Sequence, residues 1–212
     1  MALIGIIAIL AFVIIGVLAM VYGERRLVGR LQVRLGPNRV GPIGLLQPIA
    51  DAIKVMTKED IVPRKADKWL HFMAPVAFLV PAVLAWAVVP FSDGVILTDL
   101  NIGILYILGV SSLSLVGVFM AGWGSNNKYS LLGAMRLIAQ VVSYEIPMVL
   151  SILGVVAIVG SLSMVDIVNA QSTVPFIVLQ PLGFIVYLIA ATAELNRTPF
   201  DTLEAESEIV AG

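Results

Sequence analysis

The chain has 212 residues, of which 59% are hydrophobic and 13% charged, with a formal net charge of −1. So apolar a composition excludes an ordinary soluble domain, and near-neutrality gives a nucleic-acid partner no electrostatic support. With no cysteine and a single histidine, His71, the chain has no disulfides, no thiolate metal site and no iron–sulfur ligation of its own.

Five apolar runs, at 2–22, 71–91, 102–121, 138–160 and 174–193, each approach the roughly 20 residues that cross about 30 Å of hydrocarbon as a helix. Helix is required because lipid cannot satisfy backbone polar groups, and the alternation expected of a barrel strand is missing. The expected fold is all-α: a polytopic transmembrane bundle of about five spans, forming a single membrane domain over 1–212 with cytoplasmic loops at 23–70, 122–137 and 194–212. The first run has no basic residues before it and no small-residue cleavage pattern after it, so it reads as a retained span. Pro75 and Pro81 are expected to kink the second span, and Pro147 the fourth.

Orientation follows from the bases. Ten of the 13 (Arg25, Arg26, Arg30, Arg34, Arg39, Lys54, Lys58, Arg64, Lys65 and Lys68) lie between the first two spans, and Lys128, Arg136 and Arg197 follow spans three and five. All fall on one side, which the positive-inside rule makes cytoplasmic, leaving the amino terminus outside. Trp69, Trp86 and Trp123 sit near span ends, as interfacial anchors do.

The first loop is punctuated by Gly36, Pro37, Gly41, Pro42, Gly44 and Pro48, which fix turns. A short amphipathic helix is expected after Pro48: Leu45, Ile49, Ile53 and Met56 recur at helical spacing, and Asp51, Lys54 and Lys58 share the other face. The segment reads either as a docking platform in the interface plane or as an ordinary basic loop. Glu24, at the end of span one, is placed to be neutralised by a neighbouring arginine, with a simple interfacial ion pair as the plainer reading.

Glu145 lies inside the fourth run, where an ionised carboxylate costs on the order of 3 kcal/mol near the bilayer centre. It has to face protein or a wet cavity. Either it exchanges protons or, as a hydrogen-bonded acid, it only ties helices together. Beyond the fifth span, five acids (Glu194, Asp201, Glu204, Glu206 and Glu208) fall within 15 residues. Thr198 as N-cap and Pro199 as first helical residue predict a new short helix, with Asp201, Glu204 and Glu208 on one face. A solvated acidic helix start explains part of this pattern, but the scarcity of interleaved bases points to protonated, hydrated or partner-paired carboxylates.

At these residues the chain resembles the subunit 1 family (the H subunits) of respiratory complex I, the proton-translocating NADH:quinone oxidoreductase. The matching stretches are ERR at 24–26 with Gly29 and Arg30, RLGPNRVGP at 34–42, LLQPIAD at 45–51 with Lys54, SYEIP at 143–147, and 194–212. The resemblance implies that Glu24, Arg25, Asp51 and Arg197 line or support a quinone passage. It implies that Glu145, Glu194, Glu204, Glu206 and Glu208 belong to an acidic funnel coupling quinone chemistry to proton movement. It further implies quinone as substrate, no metal, flavin or iron–sulfur cluster in this chain, and residence in the cell inner (plasma) membrane rather than an organellar one. The implied partners are hydrophilic-arm subunits, including the one holding the terminal iron–sulfur cluster, other membrane-arm subunits, and lipids. Two departures stand out. Members usually read FDLPE where this chain has FDTLE at 200–204, and they continue through further membrane helices, so the chain is expected to be truncated after Gly212. Three alternatives stay open: the homologous membrane component of an energy-converting hydrogenase or ferredoxin-linked complex, a self-contained ion channel or transporter, and a scaffold that only anchors soluble subunits.

Overall fold

The computed structural model describes residues 2–59, 61–92 and 95–201. Among them are eight α-helices and no strand beyond an isolated bridge between Ser92 and Val95. The architecture is the expected all-α one, and four helices are long and apolar enough to cross a membrane. The chain divides into two compact units, Met1–Ile61 and Val62–Gly212.

In the first unit, α1 (Ala2–Leu31) continues well past the expected edge at Tyr22. Hydropathy falls at Glu24, Arg25 and Arg26, but Glu, Arg and the following Leu27 are good helix formers, so polarity alone does not stop the helix. It ends in a left-handed closure. Val33 takes φ 55 and donates its N–H to the Arg30 carbonyl at 3.1 Å, while Arg34 N–H reaches back to Gly29 O at 2.8 Å. A 3-10 turn, Pro42–Gly44, leads into α2 (Gln47–Met56), the amphipathic helix expected around Pro48. The Tyr22 hydroxyl of α1 donates to the Ile43 carbonyl at 2.9 Å, so the loop folds back on the helix it leaves.

The second unit holds α3 (Lys68–Ala85), α4 (Gly103–Gly124), α5 (Lys128–Val159), α6 (Met164–Ala170), α7 (Phe176–Leu179) and α8 (Pro181–Glu194). Helix α3 packs on α4, α4 on α5, and α5 on α8. Small residues allow this closeness, as bilayer helices require. A Cβ on Gly117 of α4 would stand 2.7 Å from the Phe78 backbone nitrogen of α3. Caps mark the starts: Asp67 accepts the Trp69 N–H at 3.0 Å ahead of α3, and Asn127 accepts the Tyr129 N–H at 3.0 Å ahead of α5. Helix α3 runs through Pro75 and Pro81, and α5 through Pro147.

Three boundaries differ from the sequence reading. Helix α5 starts at Lys128, ten residues ahead of the run expected at 138, because the Asn127 cap nucleates it before the hydropathy rises. The fifth run is not one continuous helix: it breaks at Gln180 (φ −134, ψ 63) into α7 and α8, because a residue preceding proline is pushed out of the helical region. The helix expected to open at Thr198 and Pro199 is absent as far as Asp201. That stretch is a turn, with Phe200 N–H donating to Arg197 O at 2.8 Å.

Candidate functional site

Two groups of polar side chains stand apart from the apolar background, one in each unit. In the first unit, Arg25 of α1 is ion-paired with the Asp51 carboxylate of α2. Gln47, one turn before Asp51 on the same helix, donates to its other oxygen at 3.0 Å. These bonds, the one from Arg25 foremost, hold the Asp51 carboxyl below the usual aspartate range. The pair lines a cleft of about 750 Å³ whose wall also carries Arg34, Arg39, Lys54 and Lys58. Five cations thus surround one acid, and the cleft is strongly positive. On α2, Ile49, Ile53 and Met56 are exposed, so a cationic cleft and an apolar ledge adjoin on one element. Glu24 is exposed on α1 next to Arg25, and Arg25 pairs with Asp51.

In the second unit, Glu145 is half-buried midway along α5, in hydrogen-bond contact with the Ser112 hydroxyl of α4. A helix-to-helix hydrogen bond of this kind satisfies a carboxyl group that an apolar run would otherwise strand. Glu194 is the last residue of α8 and is also half-buried. It lies close enough to Glu145 for the two charges to act on one another. Glu194 also borders a cavity of about 560 Å³ between α4, α5, α6, α7 and α8, otherwise mostly apolar but carrying Ser111, Ser151, Gln180 and Tyr187.

The turn after Glu194 is tied down. Asn196, at φ 51, closes α8 by the left-handed pattern seen in α1, donating to Ala193 O at 3.2 Å while Arg197 N–H reaches Thr192 O at 3.2 Å. From α5, the Gln140 amide donates to the carbonyls of Ala193 and Phe200, both at 2.9 Å. One turn on, the Tyr144 ring meets the Phe200 ring edge-on with centroids 4.9 Å apart. Arg197 is exposed in this turn, in the second unit, whereas Glu24, Arg25 and Asp51 belong to the first. Glu204, Glu206 and Glu208 lie outside the described residues.

The structure therefore joins Arg25 with Asp51, and brings Glu194 within electrostatic reach of Glu145. It also brings in Gln47, Ser112 and Gln140, which the sequence reading did not single out. Gln47 carries a readable signal, an amide four residues before an aspartate on one helix. Ser112 and Gln140 do not, since their partners are 33 and 53 residues away in the chain. No group of three or more His, Cys, Asp or Glu able to hold a metal occurs among the described residues.

The family model described as NADH dehydrogenase matches residues 4–212. The chain is 67% identical over 210 residues to the H subunit of NADH-quinone oxidoreductase from Dehalococcoides mccartyi strain CBDB1, covering 99% of this chain and 59% of that protein. It is 54% identical over 205 residues to the protein of that name from Geobacillus kaustophilus strain HTA426, covering 96% of this chain and 60% of the relative. For Bacillus thuringiensis strain Al Hakam the figures are 51% over 213 residues, 100% and 63%. The chain thus spans about three fifths of the length of the curated relatives it matches. With a family match over almost every residue, the chain belongs to the NADH dehydrogenase family, alongside the H subunits of NADH-quinone oxidoreductase.

Proposed function

We propose that this chain is a membrane subunit of a proton-translocating NADH:quinone oxidoreductase in the cell membrane, forming part of the quinone passage and the first stage of an acidic path for protons. The observation that carries the reading is the 67% identity to an H subunit of NADH-quinone oxidoreductase across 99% of the chain. The amino terminus faces outward and the basic first loop faces the cytoplasm, where it meets hydrophilic-arm subunits, one of which holds the terminal iron–sulfur cluster. Quinone is the substrate, and electrons reach it from that partner.

In this reading the first unit serves quinone. A quinone has an apolar tail and a headgroup that gains negative charge when reduced, so it suits a site where the apolar face of α2 adjoins a cationic cleft. Arg25 and Asp51, fixed on each other and by Gln47, set the wall of the passage, with Glu24 beside them and Arg197 as a further cation of the route. The second unit serves protons. Glu194 borders a partly polar cavity and lies within electrostatic reach of Glu145, which places two acids on one side of the bundle for protons to use. Glu204, Glu206 and Glu208 extend the path. Reduction of quinone changes the field on these acids, and their proton occupancy follows.

The quinone half is tested by photolabelling the assembled complex with an azido-quinone and mapping the adducts. Adducts on α1 or the 23–70 loop are expected, and they should diminish with excess unlabelled quinone. Labelling that never marks this segment while marking partner subunits contradicts the passage. The energy-converting hydrogenase alternative draws no support from the relatives' names, all of which specify quinone.

A further inference from the structure

We propose that Ser112 is a positioning residue for Glu145, a hydroxyl that turns with the charge state of the acid so that Glu145 is hydrogen-bonded whether it is ionised or neutral. The inference rests on the proposed role of Glu145 in proton coupling and deepens it.

It follows from counting hydrogens. A serine hydroxyl has one hydrogen and two lone pairs. Ser112 Oγ contacts two acceptors, the Glu145 carboxyl oxygen Oε1 and the Leu108 carbonyl at 3.0 Å. It cannot donate to both at once. When Glu145 is ionised, Ser112 gives its hydrogen to the carboxylate, and the Leu108 carbonyl still has a donor because the Ser111 hydroxyl sits 2.9 Å away. When a proton arrives on Glu145, the carboxyl O–H becomes the donor and Ser112 Oγ the acceptor. The Ser112 hydrogen then swings to Leu108 O. No bond to Ser112 oxygen forms or breaks, and the proton that arrives is the one that later leaves Glu145.

Glu145 Oε1, Ser112 Oγ and the Leu108 carbonyl each keep a partner in both states. A fixed donor such as a backbone N–H serves the carboxylate but gives no partner to the O–H of the neutral acid, and a fixed acceptor serves only that O–H. A hydroxyl with a second acceptor within reach serves both, which suits an acid that has to change charge repeatedly. The other described acid of this region is Glu194 of α8, within electrostatic reach of Glu145. Ser112 thus keeps Glu145 hydrogen-bonded on either side of a proton transfer.

The test is infrared difference spectroscopy of the assembled complex on quinone reduction, with coupled turnover followed in liposomes. Glu145→Gln assigns the carboxyl C=O band that belongs to Glu145 and should abolish coupling. Ser112→Ala should move that band to higher frequency and lower coupled turnover roughly 10-fold, the loss of about one charge-assisted hydrogen bond. Ser112→Thr, which keeps the hydroxyl, should restore both. If Ser112→Ala does not assemble, Ser112→Cys, a weaker hydrogen-bonding group, should displace the band by an intermediate amount. A Glu145 band unmoved by Ala or Cys, or a Thr variant that behaves like Ala, overturns the role of Ser112 while leaving that of Glu145 standing. A Glu145→Gln complex with full coupling and no lost band overturns both.

Discussion

Gln140 reaches from the middle of α5 to the carbonyl of Ala193, 2.9 Å away, and so grips the residue immediately before Glu194. The same amide holds the Phe200 carbonyl, so one side chain spans the turn that carries the acid out of the helix. Gln140→Leu leaves these acceptors without that donor at a cost of about 1–3 kcal/mol. Amide hydrogen exchange over 195–201 should speed up by about 10- to 100-fold while the rest of α5 stays protected. Unchanged exchange in that turn would show that Gln140 does not hold it.

The neighbouring cap makes a second, independent prediction. Asn196 sits at φ 51, a conformation that Asn tolerates and β-branched residues resist. Asn196→Val should destabilise the end of α8 by about 1–2 kcal/mol, seen as faster exchange at 195–197, whereas Asn196→Gly should be close to neutral. Equal effects from Val and Gly would contradict a left-handed cap.

Asp51 gives the pH dependence in the first unit. Arg25 above all, and then Gln47, hold its carboxyl below the ordinary aspartate range. A group whose folded value is lowered adds stability above its unfolded value and loses it as pH falls through the folded one. Acidification below the ordinary carboxylate range should therefore loosen α2 from α1, and Arg25→Gln should move that loss to higher pH. Carboxyl carbon NMR of isotopically labelled aspartate in the full chain follows it directly. An Asp51 titration that is the same with and without Arg25 rules the pairing out.

Packing in the second unit hangs on Gly117. A Cβ there meets the Phe78 backbone rather than a flexible side-chain tip, so α3 and α4 have to separate to admit it. Gly117→Val should lower stability by about 1–3 kcal/mol and the unfolding temperature in detergent with it. An unfolding temperature equal to wild type would mean that the two helices are not in close contact.

Much of this architecture was legible in the chain. Apolar runs located the long helices, and the spacing of Ile49, Ile53 and Met56 located α2, because an amphipathic helix gathers its apolar residues on one face at a helical period. Boundaries were less legible. At Glu24 to Arg26 hydropathy fell but helix propensity did not, so α1 ran on to Leu31. The signal for the break at Gln180 is the proline that follows it, and the apolar residues on either side mask it in a hydropathy pattern. The acids were legible by type, since a carboxylate in an apolar run has few uses. Their partners were not: Ser112 and Gln140 are ordinary residues in apolar helices, and only helix packing brings them to Glu145 and to the turn after Glu194.

The most direct measurement of the central claim is the number of protons moved per quinone reduced in liposomes, for the assembled complex carrying Glu194→Gln. If Glu194 passes protons between Glu145 and the acids that follow it, the variant should still reduce quinone when uncoupled but should lose most of its proton transfer. Wild-type quinone reduction with an undiminished proton yield would remove Glu194 from the path.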